Sequence, residues 1–596
     1  MAYKRKKTIE RHPESYELNT NLIFQKWALG TVVIYSEETF TNHLSVKEKQ
    51  STIRKITSLV QADINRLIEK DRSKYLRLLT TPARVIDNIF DSSSVTELLN
   101  EYIFDKGMLI SEAYQLAFKV EFKKQEKDFD PRYSKNIKAA IRKHQEVIQN
   151  RILSNTHHVL LEQASKKTKG NFILVVDHLT PEIFFRPSTR LQGIIYRNKH
   201  HKELFNHLAI YYQYPIVHHE DELQDDELIL INVTTQSVHK NPTRDLLNTY
   251  RKSIKYQLIG GYGVDSVSFE NYSLRTMISN YKDAKLANLH PLFNRSLLYY
   301  TGPVMIAKGA PLSFDEWFDR FSYIFQTYKG KEIMIRIPSF NQVMMIDEVD
   351  SKFQIKNLLD DYPEIYEPLF RAASKALDLY PKERLYFVVP ELESKMDFDI
   401  FEYHIKYMME NNQYAERVET VFEFGTYRAM FEAEELRKQD YFIANMDLLA
   451  CSYLPEYAWS RNTLNYEKLQ NSNLHADIQH LKLTARETWG YHGEVSISGY
   501  HLTEESIFRR YVNIQHKCFI VPVQSNGYLI DIIQQKIARK GKYVGVYERD
   551  RDRTLFYRNI AENSKNDKKY EKPRGLYGKV KNLKNKKKDN DDTEEK

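Results

Sequence analysis

Cysteine is nearly absent from this sequence. Only Cys451 and Cys518 occur in 596 residues, which excludes a disulfide framework and points to a reducing compartment, with the cytoplasm as the expected location. No apolar run approaches the roughly 18 to 20 residues that span a bilayer, so a transmembrane protein is not expected. The start, MAYKRKKTIERHPE, is basic but has no apolar stretch of the kind a secretory signal carries. Five histidines fall between residues 200 and 219, yet His200, His201, His207, His218 and His219 match no zinc-ligand spacing and no cysteine joins them. A nucleic-acid fold signature, with aromatic residues interleaved among basic ones, is also missing.

What is present is globular. Hydrophobic residues make up 42% and charged residues 28%, and a chain of this length divides into two to four cores. The net charge of +8 is unevenly spread. Residues 1–20 form a basic extension. From about Asn563 the chain is poor in apolar residues and runs from a lysine block to an acidic end, the composition of a disordered charged tail (residues 561–596). Such a tail is either a solubilising extension or an electrostatic arm for RNA, DNA or an anionic membrane surface.

Periodicity divides the rest. Leu29 to Tyr35 is a β-rich run with no nearby partner. Helical spacing follows from Ser45, with Ile53, Ile56, Leu59, Val60, Ile64, Leu67 and Ile68 on one face. A second helical stretch begins near Ser94, read as an N-cap. A third follows Pro131 and carries His144 on its apolar stripe, as a core-edge histidine. Strand patterns resume at Phe172–Val176, Gly193–Tyr196 and Glu227–Val233. Asn241-Pro242-Thr243 then caps a helix running to about Tyr256. Beyond it, eight candidate strands alternate with helical stretches: 273–279, 297–300, 333–337, 385–389, 419–424, 441–445, 494–499 and 517–522. Repeated strand-helix alternation makes an α/β fold, either a (β/α)8 barrel or a doubly wound sheet.

Phe172 to Val217 narrows the choice. An apolar strand closes on Asp177, a Leu179-Thr180-Pro181 turn and a second strand at Gly193 follow, and the segment exits through Pro215-Ile216-Val217. This order resembles the phosphohistidine domain of enzyme I of the bacterial sugar phosphotransferase system, the phosphoenolpyruvate-protein phosphotransferase. The resemblance implies a split, swivelling α/β domain (21–40 and 156–240) and a helical-bundle insert (41–155) of the kind that binds the phosphocarrier HPr. A linker helix (241–264) and a C-terminal (β/α)8 TIM barrel (265–560) that dimerises would follow.

The resemblance also assigns site positions. Val421-Phe422-Glu423 and Asn445-Met446-Asp447 match the strands that carry the two Mg²⁺ ligands, Glu423 and Asp447. Ile335-Arg336 matches the strand whose arginine binds phosphoenolpyruvate, here Arg336. Other positions are replaced. Leu204 occupies the phosphohistidine position and Ser498 that of the cysteine acid. Tyr300 and Tyr457 stand for arginines, Gly302 for a glutamate and Met344 for a lysine; Arg461 is near Tyr457 but out of frame. Three lost positive charges, at about 1.5 kcal/mol each, weaken binding of the trianionic substrate by roughly a thousandfold or more. A leucine has no lone pair to accept a phosphoryl group.

The expectation is therefore an enzyme I-like protein with impaired catalysis, acting as a regulatory or binding paralogue with Mg²⁺ as its possible cofactor. The first alternative is an active phosphotransferase that uses His207, which shares a helix face with Leu204 at i+3. The second is a nucleic-acid- or membrane-surface-binding protein working through the tail.

Overall fold

Gly30 lies where two distant segments of chain meet. A Cβ at this position would stand 2.8 Å from the backbone of Phe172, so only glycine lets strand β1 (Trp27–Tyr35) approach β2 (Phe172–Val176). The two strands pair in parallel, Thr31 opposite Phe172 and Tyr35 opposite Val176. The lone β-rich run at residue 29 thus finds its partner about 140 residues downstream. The computed structural model describes residues 26–540, except 75–80, 130, 132, 169, 186–187, 189, 199–203, 260–271, 289–295, 345–362, 381–382, 410–416, 436–440, 455–465, 489–493 and 515. The basic extension and the charged tail lie outside the described residues.

Around β1 and β2 a six-stranded sheet forms in the order β4-β3-β2-β1-β5-β6, with β3 at Leu191–Tyr196, β4 at Ile216–His218, β5 at Leu228–Asn232 and β6 at Ser237–Lys240. β1 to β4 pair in parallel, while β5 runs antiparallel to β1 and β6 antiparallel to β5. Every residue of β2 is buried, as expected of a parallel strand covered on both faces.

Between β1 and β2 the chain is helical. The helix Val46–Lys74 opens on a reciprocal cap, with the Ser45 amide and hydroxyl donating to Glu48 Oε2 at 2.8 and 2.7 Å. Ile56, Val60, Ile64 and Ile68 line its buried face. The cap expected at Ser94 is Ser92, whose Oγ accepts from Val95 N at 3.4 Å; both serines are good caps, and the helix begins two residues earlier. Two helices not read from the sequence also pack here, Pro82–Phe90 and Ile110–Glu126. The helix Lys135–Lys167 continues past residue 155, where the sequence suggested a boundary. Its His144 Nε2 lies 3.0 Å from Asp71 Oδ1 at the edge of the core.

After the helix Arg244–Ile259, eight parallel strands close a barrel. They are β7 (Ser273–Ile278), β8 (Ser296–Tyr300), β9 (Glu332–Arg336), β10 (Arg384–Leu392), β11 (Val418–Phe424), β12 (Tyr441–Asn445), β13 (Glu494–Ser498) and β14 (Cys518–Pro522). The ring order is β10-β11-β12-β13-β14-β7-β8-β9. The fold is α/β with a TIM-like barrel, and the doubly wound alternative is excluded. No described helix is long and apolar enough to cross a membrane.

Candidate functional site

In such barrels the strands end on the face where loops gather functional groups. Here β9 ends on Arg336, β11 carries Glu423 one residue before its end, β12 ends on Asn445 and β13 on Ser498. The structure brings Arg336, Glu423, Asp447 and Ser498 to one barrel mouth.

Arg336 and Glu423 meet in a forked ion pair. Arg336 Nε donates to Glu423 Oε1 and Oε2 at 3.0 and 2.9 Å, and Nη2 donates to Oε2 at 2.7 Å. Glu423 is fully buried. Burial disfavours the charge on Arg336, but Glu423 outweighs burial and raises its pKa, so the guanidinium stays charged. The Tyr300 ring lies 5.0 Å from the guanidinium carbon, a second interaction favouring the cation.

The network continues around the rim. Asn445 Nδ2 donates to Glu423 Oε1 at 3.0 Å. Asn445 Oδ1 caps the helix Met446–Tyr453, accepting from Asp447 N and Leu448 N at 3.0 and 3.2 Å. The Asp447 carboxylate accepts from Tyr500 N at 2.8 Å and His501 N at 3.0 Å, and its Oδ1 lies 2.6 Å from His501 Nδ1. Gly499 permits this wrap. Its φ is +136° and a Cβ there would stand 2.8 Å from Asp447 Oδ1.

This donor set does not fit Mg²⁺ held by Glu423 and Asp447. The ion needs oxygen ligands at about 2.0–2.1 Å in near-octahedral array, and here the Glu423 charge is neutralised by Arg336 while Asp447 is held by two amides and an imidazole. Arg336, the expected substrate-binding arginine, is paired with Glu423 in this structure.

Tyr211 enters the mouth from the helix Leu204–Tyr212. Its ring centroid is 6.1 Å from Tyr300 and 5.8 Å from Tyr500. Its hydroxyl accepts from Gln342 Nε2 at 3.3 Å, and its carbonyl accepts from the Tyr500 hydroxyl at 3.1 Å. Burial pushes all three phenols well above their usual range, so they stay neutral. The Ser498 hydroxyl is buried with no hydrogen-bond partner among the described residues.

Leu204 is the first residue of that helix, and its side chain lies outside the described residues. His207 is half-buried one turn on, with Tyr211 four residues beyond it on the same face. His200, His201, Tyr457, Arg461 and the Met344 side chain lie outside the described residues. His218 Nε2 lies 3.0 Å from the Arg197 carbonyl, an ordinary structural contact.

Tyr211, Gln342, Tyr500 and His501 were missed from the sequence. The Tyr500-His501 pair could have been found, since it directly follows Gly499 at the end of β13. Tyr211 carries no such mark; it is one tyrosine in a run that includes Tyr212 and Tyr214.

No protein-family profile and no curated relative matches this chain. Among solved structures, the chain is similar to a HpcH/HpaI aldolase/citrate lyase family protein from Burkholderia cenocepacia J2315, at 10% identity and a TM-score of 0.28, over 48% of this chain and 98% of that one. It is also similar to an NMR solution structure of enzyme I (nEIt), at 14% identity and a TM-score of 0.19, over 39% of this chain and 96% of that one. Neither likeness assigns the chain to a family.

Proposed function

We propose that this chain is an enzyme I-like protein that has lost transfer from phosphoenolpyruvate to histidine and acts as a binding or regulatory protein. An HPr-like phosphocarrier is the proposed partner of its helical bundle, and the barrel is the proposed site of dimerisation. One observation carries the reading: the barrel mouth consumes its own charges. Arg336 is spent on Glu423, and Tyr211 packs between Tyr300 and Tyr500.

A phosphoryl donor with about three negative charges needs unpaired cations at the moment of transfer. Binding it here requires breaking a buried ion pair, which costs several kcal/mol (about 3–5) before any gain. Incubating the full chain with ³²P-labelled phosphoenolpyruvate and Mg²⁺ tests the reading. The expected result is no label on protein. Acid-labile, base-resistant label that vanishes in His207→Ala would overturn it in favour of a phosphotransferase using that histidine.

A further inference from the structure

On the outer wall of the barrel, the helix Lys395–Met409 and the turn Glu432–Glu435 leave apolar surface uncovered. Met396, Tyr403 and Tyr407 on the helix and Phe431 beside the turn are each 64–67% exposed. Tyr403 and Tyr407 stack with centroids 6.4 Å apart. Rings and a thioether gathered on one face exceed the scattered apolar exposure normal for a surface.

The same face is acidic. A cleft of about 580 Å³ runs between helix and turn, lined by Met396, Tyr403 and His404, by the carboxylates of Asp399, Glu432 and Glu435, and by one cation, Lys395, so carboxylates outnumber lysine three to one. Those three carboxylates have no ion-pair partner among the described residues. Ring faces beside carboxylates hold ammonium groups on apolar stems, through cation–π attraction and charge pairing.

The chain carries a ligand of this chemistry. Residues 572–588 contain eight lysines and arginines and no acidic residue, with Leu576, Tyr577, Val580 and Leu583 among them. Thirty-one residues, 541–571, separate the end of the last described helix, Asn526–Lys540, from Lys572. Fully extended, that spacer reaches about 100 Å. β14, which precedes this helix, stands four places from β10 in a ring of eight, a path of roughly 70 Å around the helix layer. The spacer is long enough to cross it.

We propose that the cleft between the Lys395–Met409 helix and the Glu432–Glu435 turn docks the chain's own lysine-rich segment, residues 572–588. Apolar stems lie on Tyr403 and Met396, and ammonium groups face Asp399, Glu432 and Glu435. The contact is largely electrostatic, so it weakens as salt shortens the Debye length.

Zero-length carbodiimide coupling of carboxylates to lysines in the full chain tests this, using an equimolar mixture of ¹⁴N- and ¹⁵N-labelled protein. The expected result is coupling of residues 572–588 to Asp399, Glu432 or Glu435 within single chains. Its yield should fall about fivefold or more at roughly 0.5 M salt. Tyr403→Ser with Tyr407→Ser, at exposed positions, should lower the yield while sparing the carboxylates, with the thermal midpoint measured alongside and expected to stay within about 2 °C of the parent. Mixed-isotope products as abundant as single-isotope ones would place a second copy in the cleft and overturn docking within one chain. Coupling spread evenly over surface carboxylates would overturn the site itself. So would salt-sensitive binding of the tail to RNA or anionic vesicles that is unaffected by Glu432→Gln with Glu435→Gln.

Discussion

Gln342 stands in the space above Gly302: a Cβ on Gly302 would lie 1.9 Å from Gln342 Oε1. Gly302 follows β8 and Gln342 follows β9, so a side chain from the next loop of the barrel fills the space that the glycine leaves. Gln342 is fixed there at both ends of its amide. Its Oε1 accepts from Ser339 N at 3.0 Å, and its Nε2 donates to the Tyr211 hydroxyl.

Gly302→Ala should expel the Gln342 amide and lose both hydrogen bonds. The expected destabilisation is about 1–2 kcal/mol, since the displaced atoms end a flexible side chain rather than belong to backbone. Urea unfolding of Gly302→Ala, Gln342→Ala and the double variant checks this. The double variant should cost clearly less than the two single costs added together. Simple additivity would show that the two positions do not compete for one space.

The Arg336–Glu423 pair makes a second expectation. Removing one partner leaves the other charge buried and unpaired, so Arg336→Met or Glu423→Gln should each cost about 3–5 kcal/mol. Replacing both, as Arg336→Met with Glu423→Leu, should recover most of that loss, because the desolvation of two ions disappears with their attraction. Equilibrium unfolding of the three variants distinguishes this from a pair that contributes little. If the single variants are near neutral, water or another ion compensates the charge, and the closed mouth proposed here is open.

How much of this was legible depends on what each residue answers to. The barrel strands were found because short runs rich in β-branched and aromatic residues alternate with helical stretches eight times, and all eight fall within three residues of their expected ends. The helix Pro82–Phe90 was missed because nine residues show little more than two turns of periodicity, whereas Ile110–Glu126 carries a legible stripe, Ile110, Ala113, Tyr114, Ala117, Phe118 and Phe122, that was overlooked. At the site, strand ends placed Arg336, Glu423, Asp447 and Ser498 together. Which charge pairs with which is a matter of distances across the barrel, and no spacing along the chain encodes it. Tyr211 reaches the mouth from another sheet's helix, so its role is set by how the sheet and barrel pack.

Asp283 gives a pH dependence. It follows β7, accepts from Gln524 Nε2 at 3.4 Å and lies near Tyr212 and Tyr214, whose pKa values its charge helps to raise after burial. Burial pushes its own carboxyl up to about 7, against the Gln524 hydrogen bond. The folded pKa is above the unfolded one, so between about 4 and 7 the folded chain holds a proton that the unfolded chain releases. The stability this group contributes is full below about 4 and is lost as pH rises through 7. Asp283→Asn, which cannot ionise, should therefore gain on the parent by about 1–2 kcal/mol between pH 5 and pH 8, after discounting for partial exposure. His475, pushed down to about 4 by burial and Arg510, has the opposite slope. The informative quantity is thus the difference between parent and variant at each pH.

The helical bundle is tied to the barrel through Glu316, and that tie should govern how the two come apart. Lys308 Nζ lies 2.6 Å from Glu316 Oε2, and Arg66 of the Val46–Lys74 helix reaches the same oxygen at 3.7 Å and Asp63 at 3.1 Å. Arg66 Nη1 also donates to the Pro311 carbonyl at 2.7 Å. Burial disfavours the Glu316 charge, but Lys308 and Arg66 outweigh it and hold the carboxyl well below the usual range. Its contribution is therefore present above the unfolded carboxyl pKa and lost only in strong acid. Glu316→Gln leaves buried Lys308 without its carboxylate, while Arg66 keeps Asp63, and should cost about 3 kcal/mol. Lys308→Met should cost less, since Arg66 still balances Glu316. Because Arg66 belongs to the bundle and Glu316 to the barrel, Glu316→Gln should also speed amide exchange along Val46–Lys74 more than along β8 or β9. Equal acceleration of both would mean that the network supports the barrel alone and does not hold the bundle against it.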